Sequence, residues 1–368
     1  MRPRYVLSTF CSASLMVLAW LAGCSRPPAG GLLETTAMFG GSGNAPGQYG
    51  YPRCIDADDN TLWIIDKLAR VQRVDPKTGY ALTVFKMPRF ENGKPTGVTV
   101  WRSADSAAPG PVIFVADTHE HRVMVYQGAP HPASSTAEEA PPALLASFGT
   151  SGEGPGQFIY LTDVAVLSTD DRKAVQRLYV SEYGGNDRIS IYEPDGGPWS
   201  PTGGAPAFHY VRSFGHFGSG DSGDDVQFSR PQSMAVDTRT RELIVTDACN
   251  HRVGRFTLEG ALVAWYGRSG EPSTAPGRFK YPYGLSLLGD GSAMVAEYGN
   301  NRLQRIDLAT GDCLGLFGQP GRSRGQLATP WGVAVLGDTV YVLDSGNSRV
   351  QAFAMPHGTA RVAATPKH

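Results

Sequence analysis

Charge is scarce in this chain: Asp, Glu, Lys and Arg make up 18% of 368 residues, and the formal net charge is -1. A balance so close to neutral gives no field to draw in a polynucleotide, so nucleic acid is excluded as an expected partner. Long amphipathic helical patterns are also missing, which turns the reading away from helices. Cysteine is sparse, at five residues, and Cys54, Cys249 and Cys313 share no CxxC or CxxH spacing. That excludes a recognisable zinc site or redox pair, and the three read as separate small core residues. Neither a haem CxxCH nor a quinone-type motif occurs, so no cofactor is expected. What the chain has instead is Gly (45), Pro (27) and a hydrophobic fraction of 41%. Those proportions fit many short strands separated by tight turns.

The start of the chain reads as a targeting signal. Arg2 and Arg4 precede an uncharged, mostly apolar stretch from Tyr5 to Leu21, and Leu21-Ala22-Gly23-Cys24 follows. These four residues resemble the lipobox of bacterial lipoproteins. The resemblance implies a signal peptide over 1–23, lipidation of Cys24 and, with Ser25 rather than Asp next, the outer membrane of a Gram-negative cell. Residues 24–33 read as a tether, and the expected location is the cell envelope, held by the lipid anchor.

Self-comparison organises the rest. Phe317-Gly318 opens a unit that runs through Gly325-Gln326-Leu327, Pro330-Trp331-Gly332-Val333, Val340-Tyr341-Val342-Leu343-Asp344 and Asn347-Ser348-Arg349-Val350. The same order recurs after Tyr266, Phe214 and Phe148, and in weaker form after Phe39 and Phe85. The spacing of these openings, about 46 to 66 residues, is near that of a four-stranded propeller blade. Three insertions account for the longer steps: Gly128 to Ala143, Ser168 to Gln176 and Glu193 to Pro206, each read as a surface loop. The expected fold is all-β, a six-bladed β-propeller of four-stranded antiparallel blades over residues 34–356, with residues 357–368 as a tail. One strand, Glu34 to Phe39, precedes the first full unit, and the last unit stops after three strands at Phe353. The early strand is therefore expected to complete the last blade and close the ring. Six copies agreeing in order and phase resemble the NHL-repeat family. That resemblance implies the fold but no single activity, since the family includes enzymes, sensor domains and binding modules.

An acidic residue followed by arginine recurs as Asp66/Arg70, Asp117/Arg122, Glu182/Arg188, Asp247/Arg252, Glu297/Arg302 and Asp344/Arg349. Presence in every unit points to a turn-stabilising ion pair, because a catalytic site needs unique residues at one place. His119, His121 and His251 read as turn histidines rather than metal ligands, and the channel histidines by which peptidylglycine amidating lyases, which resemble this fold, bind zinc have no matching set here. Gly220-Asp221-Ser222-Gly223 lacks the context of a serine nucleophile, and with Asp224 and Asp225 it reads as a solvated acidic loop. The positions that break the repeat are better candidates. Arg53, Thr96, Thr162, Gln232, Tyr283 and Trp331 lead into the innermost strands, and Lys67, Tyr183 and Tyr298 follow the second strands. From these, Arg53, Lys67, Tyr183, Gln232, Tyr283, Tyr298 and Trp331 form the candidate binding face, as Tyr, Trp and Arg favour interaction hot spots. No catalytic residue or metal ligand is assigned. The expected function is a cell-envelope lipoprotein scaffold that binds a protein, peptide or glycan. A lyase or hydrolase using calcium or zinc in the channel remains as the alternative.

Overall fold

The structure is a computed structural model that describes residues 34–89, 91, 94–129 and 142–355. Cys24, the signal segment, the tether, most of the first insertion and the tail 357–368 lie outside the described residues. Blade 1 comprises Pro52–Ala57, Leu62–Asp66, Arg70–Val74 and Ala81–Lys86, numbered from the axis outward. Blade 2 is Gly97–Trp101, Val112–Asp117, Arg122–Gln127 and Ala143–Phe148. Blade 3 is Tyr160–Ser168, Val175–Tyr183, Arg188–Pro194 and Phe208–Phe214. Blade 4 is Pro231–Asp237, Glu242–Asp247, Arg252–Thr257 and Leu262–Gly267. Blade 5 is Pro282–Leu287, Ser292–Glu297, Arg302–Asp307 and Cys313–Phe317. Blade 6 has only Val333–Leu336, Thr339–Asp344 and Arg349–Ala354 from its own stretch of chain. Its outer strand is Thr35–Gly40, antiparallel to Arg349–Ala354 with Phe39 opposite Val350.

Burial explains which runs are apolar throughout and which alternate. Second strands such as Leu62–Asp66 and Val112–Asp117 are buried at every residue, because neighbouring blades cover both faces. The outer strand Thr35–Gly40 alternates between half-buried and exposed positions, as expected at a rim. One apolar cluster fills each of the six junctions between blades. The closing junction, with Tyr49, Ile55, Leu343 and Val350, is buried like the other five. The insertion Glu193 to Pro206 departs from a plain surface loop. Trp199 is buried in the cluster between blades 2 and 3 and pairs through its backbone with Val175. A large apolar ring gains more from that junction than from solvent.

The Phe-Gly openings have a packing cause. Gly149 has φ 99° and Gly215 φ 81°, and a Cβ there would lie 2.6 and 2.4 Å from the rings of Phe158 and Phe228. Each ring belongs to the Gln-aromatic pair that ends the Gly-rich loop and is fully buried. Gln157 Oε1 and Gln227 Oε1 accept from Gly154 N–H and Gly220 N–H, which folds that loop back on itself.

All six acid–arginine pairs are formed, at 2.5 to 2.9 Å. Each joins the end of a second strand to the start of a third. In blade 4, Asp247 accepts from Arg252 Nε, Asn250 Nδ2 and Ser229 N–H. Arg252 in turn donates to the carbonyls of Gly220 and Gln227 and stacks 3.6 Å from the Trp265 ring. Arg70, Arg188, Arg302 and Arg349 reach their own loop carbonyls in the same way. The pair thus ties the turn, the loop and two strands together and satisfies backbone groups that have no ladder partner. Arg252→Ala strands a fully buried Asp247 carboxylate and is expected to cost about 3–5 kcal/mol. Arg212→Ala, opposite exposed Glu259, is expected to cost no more than about 1 kcal/mol. Chemical denaturation followed by tryptophan fluorescence checks this, and equal losses would contradict the assignment.

Candidate functional site

The six first strands line the axis. Their lower portions, including Asp56, Thr99, Trp101, Ala165, Met234 and Ser286, enclose a chamber of about 240 Å³. Above it lies a neck of about 20 Å³, room for about one water. Its rim holds Arg53, Thr96, Thr162, Gln232, Tyr283 and Trp331, one from each blade. Those are the six positions leading into the innermost strands. Thr96 and Thr162 are occupied with joining blades, donating to the carbonyls of Leu161 and Pro231. Lys67 is exposed and does not line the neck.

Aromatic rings surround the rim. Tyr283 stacks on Tyr298 at 4.8 Å and meets Trp331 edge-on at 4.8 Å, and Tyr51 meets Trp331 at 5.9 Å. On the other side Tyr183 lies 5.4 Å from Tyr160. Arg230 bridges the two groups, with its guanidinium 4.6 Å from the Tyr183 ring and 5.2 Å from that of Tyr283. Its Nε donates to Gln232 Oε1 at 2.8 Å, which orients the fork. Arg53 lies 5.7 Å from the Trp331 ring. Burial and neighbouring Arg230 both pull its pKa down, partly offset by Tyr183 and Tyr51. Arg53 Nε and Trp331 Nε1 are buried and have no hydrogen-bond partner among the described residues.

Sequence reasoning missed Tyr51 and Arg230. Both precede the proline that starts an innermost strand, as Tyr281 precedes Pro282; Thr329 precedes Pro330, just ahead of Val333–Leu336. All four are left-handed, with φ between 44° and 62°. A non-glycine residue there costs about 1–3 kcal/mol unless its surroundings hold it. The hold comes from the preceding blade: Asp187 Oδ2, His251 Nδ1 and Asn301 Oδ1 accept from the N–H of Arg230, Tyr281 and Thr329. These acceptors share the slot immediately before the repeat arginine. The bulky residue directly before each proline was the available signal.

The same slot accounts for two histidines. His251 is the acceptor for Tyr281, and His121 Nδ1 meets the Ile159 carbonyl. His119 Nδ1 accepts from Lys94 N–H. Asp221 pairs with Arg252, and exposed Asp225 pairs with His216. Among the described residues no three His, Cys, Asp or Glu side chains group in a way that could hold a metal ion. Cys54, Cys249 and Cys313 are free.

The channel carboxylates are bound by backbone. Asp56 accepts from the N–H groups of Ala57 and Val100, and Asp163 from those of Val164 and Met234 and from Ser233 Oγ. Each therefore links its own blade to the next. Burial raises Asp163 to about 7 against the pull of these donors, and raises Asp56 to about 6.

A closed ring of six four-stranded blades around a channel defines the protein as a six-bladed β-propeller. The NHL repeat family matches two of its repeats, at residues 228–256 and 327–353 in blades 4 and 6. The chain is similar to NHL repeat-containing protein 3 of Mus musculus, 29% identical over 128 residues, 31% of this chain and 36% of that protein. Its Homo sapiens counterpart is 28% identical over 121 residues, 29% of this chain and 34% of that protein. The match thus spans about a third of these relatives' length. Among solved structures, a structural-genomics protein of unknown function from Bacteroides thetaiotaomicron has TM-score 0.57 at 15% identity, covering 86% of this chain and 76% of that one. A streptogramin B lyase has TM-score 0.50 at 15% identity, covering 88% of both. These two share the propeller fold.

Asp163 gives a pH test. Its folded pKa lies above the unfolded value of about 3.9, so its contribution to stability is present below that value and is lost as pH rises through about 7. Asp163→Asn is expected to lose relative stability at pH 5 and regain it by pH 8. Thermal denaturation at both pH values measures the difference, and a pH-independent difference would refute the burial effect.

Proposed function

We propose that this propeller is a cell-envelope scaffold, anchored by lipid on Cys24, that binds a protein, peptide or glycan through the mouth of its channel. The observation that carries the reading is the ring of Tyr51, Tyr183, Tyr283, Tyr298 and Trp331 with Arg53 and Arg230, none of which recurs in every blade. The acid–arginine pairs recur in every blade and hold its turns and loops, whereas these residues converge on one opening. Large rings that are already packed against one another give contact area at little entropic cost. Below them the neck admits about one water, so the partner is read at the rim.

Replacing Tyr283 and Trp331 together by Ala is expected to reduce capture of envelope partners at least tenfold while the propeller still folds. Undiminished capture would remove the mouth from consideration. For the anchor, Cys24→Ala is expected to release the chain from membranes or to stall its processing, and unchanged membrane association and mobility would refute lipidation. Elemental analysis of protein purified without chelator separates the enzymatic alternative: the scaffold reading expects no stoichiometric metal, whereas one calcium or zinc per chain would favour a channel lyase or hydrolase.

A further inference from the structure

We infer that the mouth is an anion site whose ligand is a carboxylate carried on a saccharide ring, a uronate-type glycan. The inference rests on the mouth being the binding face and names what it binds. Among the described residues, the Arg53 side chain makes no hydrogen bond or ion pair, although seventeen other arginines there form twenty ion pairs. Arg230 uses only its Nε, on Gln232, and its two Nη groups have no partner among the described residues. Both guanidinium groups lie within 6 Å of the same indole, that of Trp331. Two like charges brought together over one ring, beside an unpartnered indole N–H, form a donor set that an anion would satisfy.

The chemistry of the anion follows from its surroundings. A planar guanidinium fork suits a carboxylate or a phosphate equally. Two carboxylates stand nearby: Asp187, which accepts from the N–H groups of Gly184, Gly185 and Arg230, and Asp66, whose charge acts on Arg53. They limit the surplus of positive charge, which suits the single charge of a carboxylate better than the near-double charge of a phosphate. The body of the ligand is set by shape. A neck with room for about one water has no socket for an anchoring peptide side chain. The rim instead presents the half-buried rings of Tyr51, Tyr183, Tyr298 and Trp331 around buried Tyr283, against which a sugar ring can lie flat.

Titration calorimetry of the full chain with trigalacturonate tests this. The methyl-esterified trisaccharide keeps the body and removes the charge, and N-acetyl-Ala-Ala with a free carboxylate keeps the charge and replaces the body. Saturable binding of trigalacturonate is expected, weakened at least tenfold in the methyl ester, in Arg53→Gln, in Arg230→Gln and in the peptide. Since Arg230 has a left-handed backbone, raising the salt concentration on the native chain gives a second readout, with affinity expected to fall. Absent heat, equal binding of acid and ester, or salt-independent binding would overturn the anion assignment. Tighter binding of the peptide would overturn the saccharide. If uronate binding fails while Tyr283 and Trp331 are still needed for partner capture, the binding face stands and only its ligand falls; if capture also survives their replacement, the face itself is lost.

Discussion

The acid–arginine clamp is the interaction on which the rest of this propeller depends. A blade has only four short strands, and most of the loops leading to a new blade are rich in glycine and held by no more than a bridge or a two-residue parallel pairing. The clamp supplies the missing partners, since a buried carboxylate gathers the turn and loop N–H groups while the arginine gathers loop carbonyls. Burying the two charges is costly, and only the full set of hydrogen bonds offsets it. Because every blade meets the same difficulty, the solution appears six times. The loop so fixed carries a buried apolar residue, Tyr49, Phe158, Phe228, Phe279 or Leu327, that fills the junction to the neighbouring blade.

With the loops fixed, the residue ahead of each innermost strand can be held in a conformation it would not choose. Asp187, His251 and Asn301 sit next to the clamp arginine and grip the pre-proline N–H of the following blade. Arg230 is brought over Tyr183 and Tyr283 by this means, and Tyr281 onto His251. The clamp, the grip and the mouth are therefore consecutive links of one chain of causes. Strain at the rim is sustained by rigid structure behind it.

The fold was legible because its signals repeat. Six copies in phase, together with the displaced strand ahead of Phe39, specify both blade number and closure, and the pairing of Thr35–Gly40 with Arg349–Ala354 completes the last blade. The site was legible only in part. Arg53, Gln232, Tyr283 and Trp331 stood out because they break the repeat, and the neck brings them together. Tyr51 and Arg230 were hidden, since their direction depends on a positive φ that spacing does not reveal. Lys67 shared the turn position of Tyr183 and Tyr298, yet it points to solvent. Asp56 and Asp163 sit on strands that read as apolar, and their link to the next blade exists only once the ring is closed. Trp199 was taken with its polar neighbours as loop, although its own size favours burial.

The central claim is that repeated residues build the ring and unrepeated residues at the mouth give it function. Site-specific photo-crosslinking in cells that make the chain natively tests this most directly, with the reactive group placed at Tyr298 on the mouth or at Val263 on the exposed outer strand of blade 4. The account predicts a discrete crosslinked species from Tyr298 and none from Val263. A species from Val263 alone would place function on the rim of the ring and contradict it.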